Sequence, residues 1–284
     1  MKKETLVTPG IHSLSLEIPN TSLSIPMTLL QGKTPGKTGL ISTGIHSNEY
    51  VGIETGIRLS REIPWQNLQG RLFILHPVNL TGFQSMDMDC LVPEDKKNLN
   101  RVFPGNKEGS LSEQIACYLV ETFFPKIHFL IDLHGGAVQE ALHPHVYFTG
   151  GAKEEVTKAS LSMARHTSIP YLVRSKSLQG GFYTCAALAG IPSLLLERGG
   201  RGLWKKEEVD QNLEDIKNIL RHLALLQDSA PKKEYTPLIL EDLHYEVSTW
   251  EGCWYPCKTP GDKVRLGEPL GEIKDYHGNL LETL

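Results

Sequence analysis

The sequence predicts an α/β fold: a mixed, mostly parallel sheet with helices on both faces, followed by a small β domain. Two observations carry that expectation. From about residue 38 to 226, short apolar runs alternate with longer stretches of helical period. After "DSAPKKEYTP" (228–237), a polar and proline-bearing linker, the helical period stops and closely spaced turns take over. The length of 284 residues suits two domains, or one large domain with an appendage. The expected division is a large domain over 1–230 and a small, barrel-sandwich-like β domain over 231–284.

The elements follow in order. "GLIST" (39–43) reads as a strand, "EYVGIETGIRLSREI" (49–63) as an amphipathic helix and "GRLFILHPV" (70–78) as a second strand. "SLSEQIACYLVETFF" (110–124) opens with a capping box, Ser110 to Glu113, and continues at helical spacing. "HFLIDLH" (128–134) and "HVYFTG" (145–150) read as strands, with a helix over about 152–166. "PYLVR" (170–174) is a shorter strand, and "FYTCAALAG" (182–190) is a helix closed by Gly190. "PSLLLERGG" (192–200) reads as a buried strand and "EEVDQNLEDIKNILRHLALL" (207–226) as the last long helix. In the tail, a Gly-Asp turn, "LGEPLGEI" and "HGN" suggest small antiparallel strands. "PGDKVRLGEPLGEI" also resembles the half-barrel repeat of biotinyl and lipoyl carrier domains. A carrier needs a lysine at an exposed hairpin tip upstream, and none is placed there. The preferred reading is a β appendage that shapes a neighbouring surface.

Composition narrows the class. The formal net charge is -4, and acidic and basic residues are mixed along the chain, which argues against nucleic acid as a partner. No run approaches the roughly 18 apolar residues of a membrane span, so no membrane is expected either. "MKKETLVTPG" has two lysines but no apolar stretch after them, unlike a signal peptide. The cysteines at 90, 117, 185, 253 and 257 are scattered, and the Cys253/Cys257 pair has no second pair to complete a structural zinc site. Reduced thiols and a cytoplasmic location are expected. Nothing in the chain argues against a homo-oligomer.

The candidate chemistry starts with "STGIHSNEYVGIE" (42–54), which contains the only His-x-x-Glu of the chain, His46 and Glu49. The spacing alone is weak, but the pair directly follows a strand, and open α/β sheets bind ligands beyond the carboxyl ends of their strands. A catalytic zinc uses three protein ligands and water. His134, at the end of "HFLIDLHGG", is the candidate third ligand, and Asp132 shares its face of the strand. "PSLLLERGG" runs apolar residues into Glu197, a carboxylate costly to bury unless paired or functional. Arg198 alternates to the other face, so Glu197 reads as a general base and acid. "KKNLNRVFPG" (96–105) offers Asn100 and Arg101 as polar groups for a substrate or an oxyanion, although taken alone Arg101 reads better as a solvated loop residue.

In this order and at these separations, "GIHSNE", "NLNRVFPG", "DLHGG" and "LLERGG" resemble the succinylglutamate desuccinylase/aspartoacylase family of the zinc carboxypeptidase superfamily. The resemblance runs from about residue 38 to 202, and the C-terminal β segment has counterparts in the family. It implies one zinc per chain on His46, Glu49 and His134. It also implies a substrate carboxylate held by Asn100 and Arg101, and a water activated by Glu197. The activity implied is hydrolysis of the amide of a small N-acyl amino acid. The alternatives are a carboxypeptidase acting on short peptides and, less favoured, a non-catalytic zinc-binding protein.

Two departures stand out. The commonest family loop is "DLNR", whose aspartate orients the first zinc histidine; here Asn98 stands in its place, a neutral acceptor that makes His46 a less basic ligand. Many members also carry an arginine just upstream that polarises the scissile carbonyl. Residues 79–97 contain none and carry Asp87 and Asp89 instead. Arg174 is the candidate replacement, and a substrate with a cationic group facing the aspartates is the other consequence.

Overall fold

The computed structural model describes residues 7–86, 88–228 and 236–284. The chain up to Glu241 forms one compact unit, and Asp242–Leu284 forms a second. The expected boundary at 230/231 lies outside the described residues, as do residues 1–6 of the N-terminal stretch and most of the linker.

The main sheet begins before the first expected strand. β1 (Gly10–Glu17) and β2 (Ser24–Gln31) form an antiparallel hairpin with Gly10 opposite Gln31. β3 (Thr34–Thr43) leads through α1 (Tyr50–Glu62) to β4 (Gln69–Leu75), which pairs parallel to β3 and antiparallel to β2. A short helix α2 (Leu80–Ser85), a 3-10 turn over Leu99–Arg101 and α3 (Leu111–Phe123) precede β5 (Phe129–His134). The expected capping box is present: Ser110 is the N-cap of α3, and its N–H donates to the Glu113 carboxylate at 2.9 Å. β6 (His145–Thr149), α4 (Glu154–Ala164), β7 (Tyr171–Ser175), α5 (Phe182–Leu188), β8 (Ser193–Glu197) and α6 (Lys206–His222) follow, and β9 (Leu238–Leu240) adds an edge strand. The order across the sheet is β1-β2-β4-β3-β5-β8-β6-β7-β9.

Three pairings in the main sheet are antiparallel, β1–β2, β2–β4 and β6–β8, and the first and last have direct physical causes. The β1–β2 connection is a tight hairpin, which permits only antiparallel pairing. No helix separates β5 from β6, so β6 lacks the crossover that parallel pairing needs, and it runs antiparallel to β8.

Side-chain alternation divides the sheet into two cores. Ile41, Ile131, Leu133, Leu194 and Leu196 pack with α1, α4 and α6 on one face. Leu40, Leu130 and Leu195 pack with α3 and α5 on the other. Helices therefore cover both faces, as the sequence predicts. α6 shows why: Val209, Leu213, Ile216 and Leu220 fall on one buried stripe, with Glu207 and Glu208 in its first turn and Arg221 and His222 in its last.

The second unit contains the expected small antiparallel strands: β10 (Cys253–Pro256), β11 (Gly271–Lys274) and β12 (Leu280–Thr283), in that order. Gly271 gives room for the Trp254 indole, which lies 2.2 Å from where a Cβ would stand. Among the described residues no helix is long and apolar enough to cross a membrane.

Candidate metal centre and active site

The residues that could do chemistry collect where β3, β5 and β8 end. After β3 the chain turns at Gly44, whose φ is +64° and whose Cβ position lies 2.9 Å from Pro77 Cα. That turn delivers His46, and Glu49 follows as the N-cap of α1. Glu49 is buried and lies between two imidazoles, with His46 Nδ1 2.7 Å from Oε1 and His134 Nδ1 2.8 Å from Oε2. The Gly135 N–H donates to the same Oε2 at 3.1 Å. The two rings are nearly perpendicular, at 80°, with centroids 4.8 Å apart. Ligand atoms of His46, Glu49 and His134 all lie within 4.8 Å of one another.

Each imidazole is held from behind. His46 Nε2 lies 3.1 Å from Asn98 Oδ1, and His134 Nε2 lies 3.2 Å from Asp132 Oδ2. Asp132 is itself fixed by the Ser42 hydroxyl, which donates to Oδ1 at 2.6 Å. The Asn98 bond and the close Asp132 carboxylate occupy both Nε2 sides and leave both Nδ1 atoms toward Glu49 as the candidate ligand atoms, an arrangement that suits metal-binding histidines.

The electrostatics fit a cation. Burial opposes charge on Glu49, but His134 and His46 outweigh it and hold the carboxyl at about 2. Burial likewise opposes charge on His134, and Asp132 and Glu49 overcome it, pushing the imidazole well above its ordinary range. The negative charges of Glu49, Glu140 and Asp132 all act on Glu197, and the positive charge that opposes them is that of His134. The donor set, two imidazoles and a carboxylate, is one that zinc accepts.

Glu197 ends β8 directly opposite His134 of β5, on the same face. Its Oε2 is shut off from solvent and has no hydrogen-bond partner among the described residues. Burial, reinforced by the negative charge of Glu49, pushes the carboxyl well above its ordinary value. Arg198 points to the other face, where it pairs with Asp215 at 2.8 Å, so it does not neutralise Glu197.

Asn98 caps the 3-10 turn, its Oδ1 accepting the Asn100 N–H at 2.8 Å. Asn100 is buried; its Oδ1 accepts the Phe182 N–H at 2.9 Å, and its Nδ2 lies 3.4 Å from His134 Nε2. Arg101 is exposed, with Nη1 donating to the Asn100 carbonyl at 3.0 Å. Arg174 is not brought to the cluster. It is opposite Phe148 in the β6–β7 register, hence on the α1/α4/α6 face, and its Nε lies 2.9 Å from Glu241. Alternation along a strand that begins two sheet positions away from β8 placed it there, a fact invisible without the register.

Three further residues border the site without having been singled out from sequence. Ser42 sits opposite Asp132 in the β3–β5 register. The Tyr183 phenol is pushed up by burial and by the charges of Asp132 and Glu197, among others. His145 faces Glu197 across the β6–β8 pair, with Nδ1 2.8 Å from the His143 carbonyl. Period-two alternation within the strand puts Ser42 on the face of Leu40; nothing in the sequence marks the other two. Beside the cluster, the Asn48 amide donates to the Met88 carbonyl at 2.9 Å and accepts from the Cys90 thiol, tying the arginine-free loop to the His46–Glu49 turn. Asp87 of that loop lies outside the described residues.

An open α/β sheet with two histidines and a carboxylate converging beside an unpaired glutamate has the layout of a hydrolase. Residues 35–223 match the Succinylglutamate desuccinylase/Aspartoacylase catalytic domain, and the chain belongs to that family of amide-cleaving deacylases. The N-alpha-acetyl-L-2,4-diaminobutyric acid deacetylase of Halomonas elongata is 27% identical over 259 residues, which cover 89% of this chain and 75% of the relative. A succinylglutamate desuccinylase/aspartoacylase crystal structure from Rhodobacter sphaeroides superposes with a TM-score of 0.84 at 25% identity, covering 98% of this chain and 88% of its own. The product-bound ectoine utilization protein EutE (DoeB) of Ruegeria pomeroyi shares the fold, with a TM-score of 0.86 at 22% identity over 99% of this chain and 88% of its own.

Proposed function

We propose that this chain is a zinc-dependent deacylase that hydrolyses the amide of a small N-acyl amino acid. The observation that carries the reading is the convergence of His46, Glu49 and His134 beside Glu197, a carboxylate with a raised pKa whose Oε2 has no hydrogen-bond partner among the described residues. Zinc would be held by the two Nδ1 atoms and Glu49; when bound, it lowers the pKa of a water towards about 7 and polarises the amide carbonyl. Glu197 takes the proton of the attacking water and passes it to the leaving nitrogen, a role suited to a carboxyl whose proton affinity burial has raised. Asp132 and Asn98 keep the imidazoles oriented. Arg101, exposed at the rim and without an acidic partner among the described residues, supplies the positive charge for a substrate carboxylate.

The Halomonas relative acts on an acetylated diamino acid, whose side chain ends in an amine. The loop over 79–97 of this chain carries Asp87 and Asp89 and no arginine, so acetylated diamino acids head the substrate panel. The test is hydrolysis by zinc-loaded protein of matched N-acyl amino acids and C-terminal dipeptides, with zinc content measured alongside. Cleavage of N-acyl amino acids with one zinc per chain is expected, and Glu197→Gln should slow it by about 10²- to 10⁴-fold. Absence of stoichiometric zinc, or full activity of Glu197→Gln, would refute the reading. Preferential dipeptide cleavage would turn it into a carboxypeptidase.

A further inference from the structure

The residue after Glu197 is an arginine that does not serve the site directly. Arg198 and Asp215 are 2% and 1% exposed, and Arg198 Nη2 donates to Asp215 Oδ2 at 2.8 Å and to Ser168 Oγ at 3.2 Å. Asp215 also accepts from the Ser168 backbone N–H and, at 3.0 Å, from its hydroxyl. The side chain thus crosses from the end of β8 to α6 and to the segment between α4 and β7, on the face opposite the proposed catalytic cluster.

The main chain of Arg198 runs against His134 and Gly135. Its N–H donates to the His134 carbonyl at 3.3 Å. Its carbonyl oxygen lies 2.5 Å from where a Cβ on Gly135 would stand, and the Gly135 N–H in turn holds Glu49. The two peptides that flank Arg198 therefore run against the His134–Gly135 segment, which carries one candidate metal ligand and holds another. The Glu197 Oε2 has no hydrogen-bond partner among the described residues. Just beyond, the strand ends in a turn at Gly199, with φ +87°. The Glu197 side chain therefore leaves a backbone whose next residue is anchored on the far face by the ion pair.

We infer that Arg198 and Asp215 are positioning residues for Glu197, holding the end of β8 in register with His134 from the opposite face of the sheet. The inference rests on the deacylase reading above. A buried ion pair adds little net stability over packed apolar side chains, whereas a carboxylate displaced by about 1 Å loses on the order of a hundredfold in rate. Function and stability should therefore separate on its removal.

The test is the pair of substitutions Arg198→Met and Asp215→Leu together, which leaves no lone buried charge, assayed in the zinc-loaded full chain on its best N-acyl amino acid. The melting temperature and zinc stoichiometry should match the parent. The turnover number should fall by about 10- to 100-fold with KM within about twofold. Arg198→Lys, which can still reach Asp215, should recover most of the rate. Parental turnover in the double variant, or Arg198→Lys as slow as the double variant, overturns the inference. Should the double variant fail to fold, Ser168→Ala decides: a drop of about two- to fivefold at unchanged KM supports positioning, and full turnover overturns it. An active parent with a fully active variant sinks this inference alone, while a parent that cleaves nothing in the panel sinks the deacylase reading and this inference with it.

Discussion

Replacing Asn98 by aspartate should tighten zinc binding. His46 Nε2 lies 3.1 Å from Asn98 Oδ1, and the same oxygen accepts the Asn100 N–H at 2.8 Å. Both contacts stay geometrically available to a carboxylate, which is isosteric with the amide. A neutral hydrogen bond contributes about 0.5–1.5 kcal/mol, one to a charged group about 1.5–3, so strengthening the bond behind His46 is worth about 1 kcal/mol. A second, smaller gain comes from the N–H of the 3-10 turn. Together these predict zinc held about five- to tenfold more tightly, since about 1.4 kcal/mol is a factor of ten. The added negative charge beside Glu49 and Asp132 acts in the same direction, because it favours the cation over the empty cluster. The assay is competition with a chromophoric chelator at pH 7.5, read without any substrate. Unchanged or weaker affinity in Asn98→Asp would refute the idea that this amide acts as a neutral stand-in for a carboxylate behind His46.

Two further outcomes follow from the same cluster. Ser42→Ala removes the 2.6 Å bond to Asp132 and leaves that buried carboxylate without it, which should cost about 1–3 kcal/mol and appear as a melting temperature lower by several degrees, with zinc affinity reduced about tenfold. An unchanged melting temperature would mean that Asp132 is held by other means. In metal-free protein, Glu49 is held at about 2 against an ordinary 4.5, so its contribution is complete above pH 4.5 and lost as pH falls towards 2. His134 is raised above its ordinary 6.5, so its contribution is complete below pH 6.5 and lost as pH rises through the raised value. Urea midpoints of the metal-free chain should therefore peak between pH 4.5 and 6.5, and Glu49→Gln should flatten the curve on both sides. A wild-type midpoint that climbs steadily to pH 8 would contradict this.

Much of the fold was legible because each strand of the central sheet is a short apolar run closed by glycine or a polar turn, and each helix has a 3.6-residue stripe. "HFLIDLH" and "PSLLLERGG" declared buried strands through continuous apolar residues, and their terminal His134 and Glu197 stood out against that background. The first hairpin was harder to see. Leu14 and Leu16 alternate with Ser13 and Ser15, but β2 contains Pro26, which argues against an interior strand. Strand order and direction were not legible, because a register is a relation between distant segments. That is why Arg174 could be named from composition yet lies across the sheet from the cluster. The partners behind the ligands divide the same way: Asp132 follows from its spacing to His134, whereas Tyr183 and His145 reach the site only through packing.

The sequence positions of the cluster also say when it can exist during synthesis. His46 and Glu49 leave the ribosome together, but His134 follows 85 residues after Glu49, and Glu197 later still. A nascent chain therefore offers two donors for a long interval and cannot close the three-donor cage until β5 has paired beside β3. Metal capture would then report completion of the middle of the sheet, and chains stalled before residue 134 should leave the ribosome without a tightly bound ion.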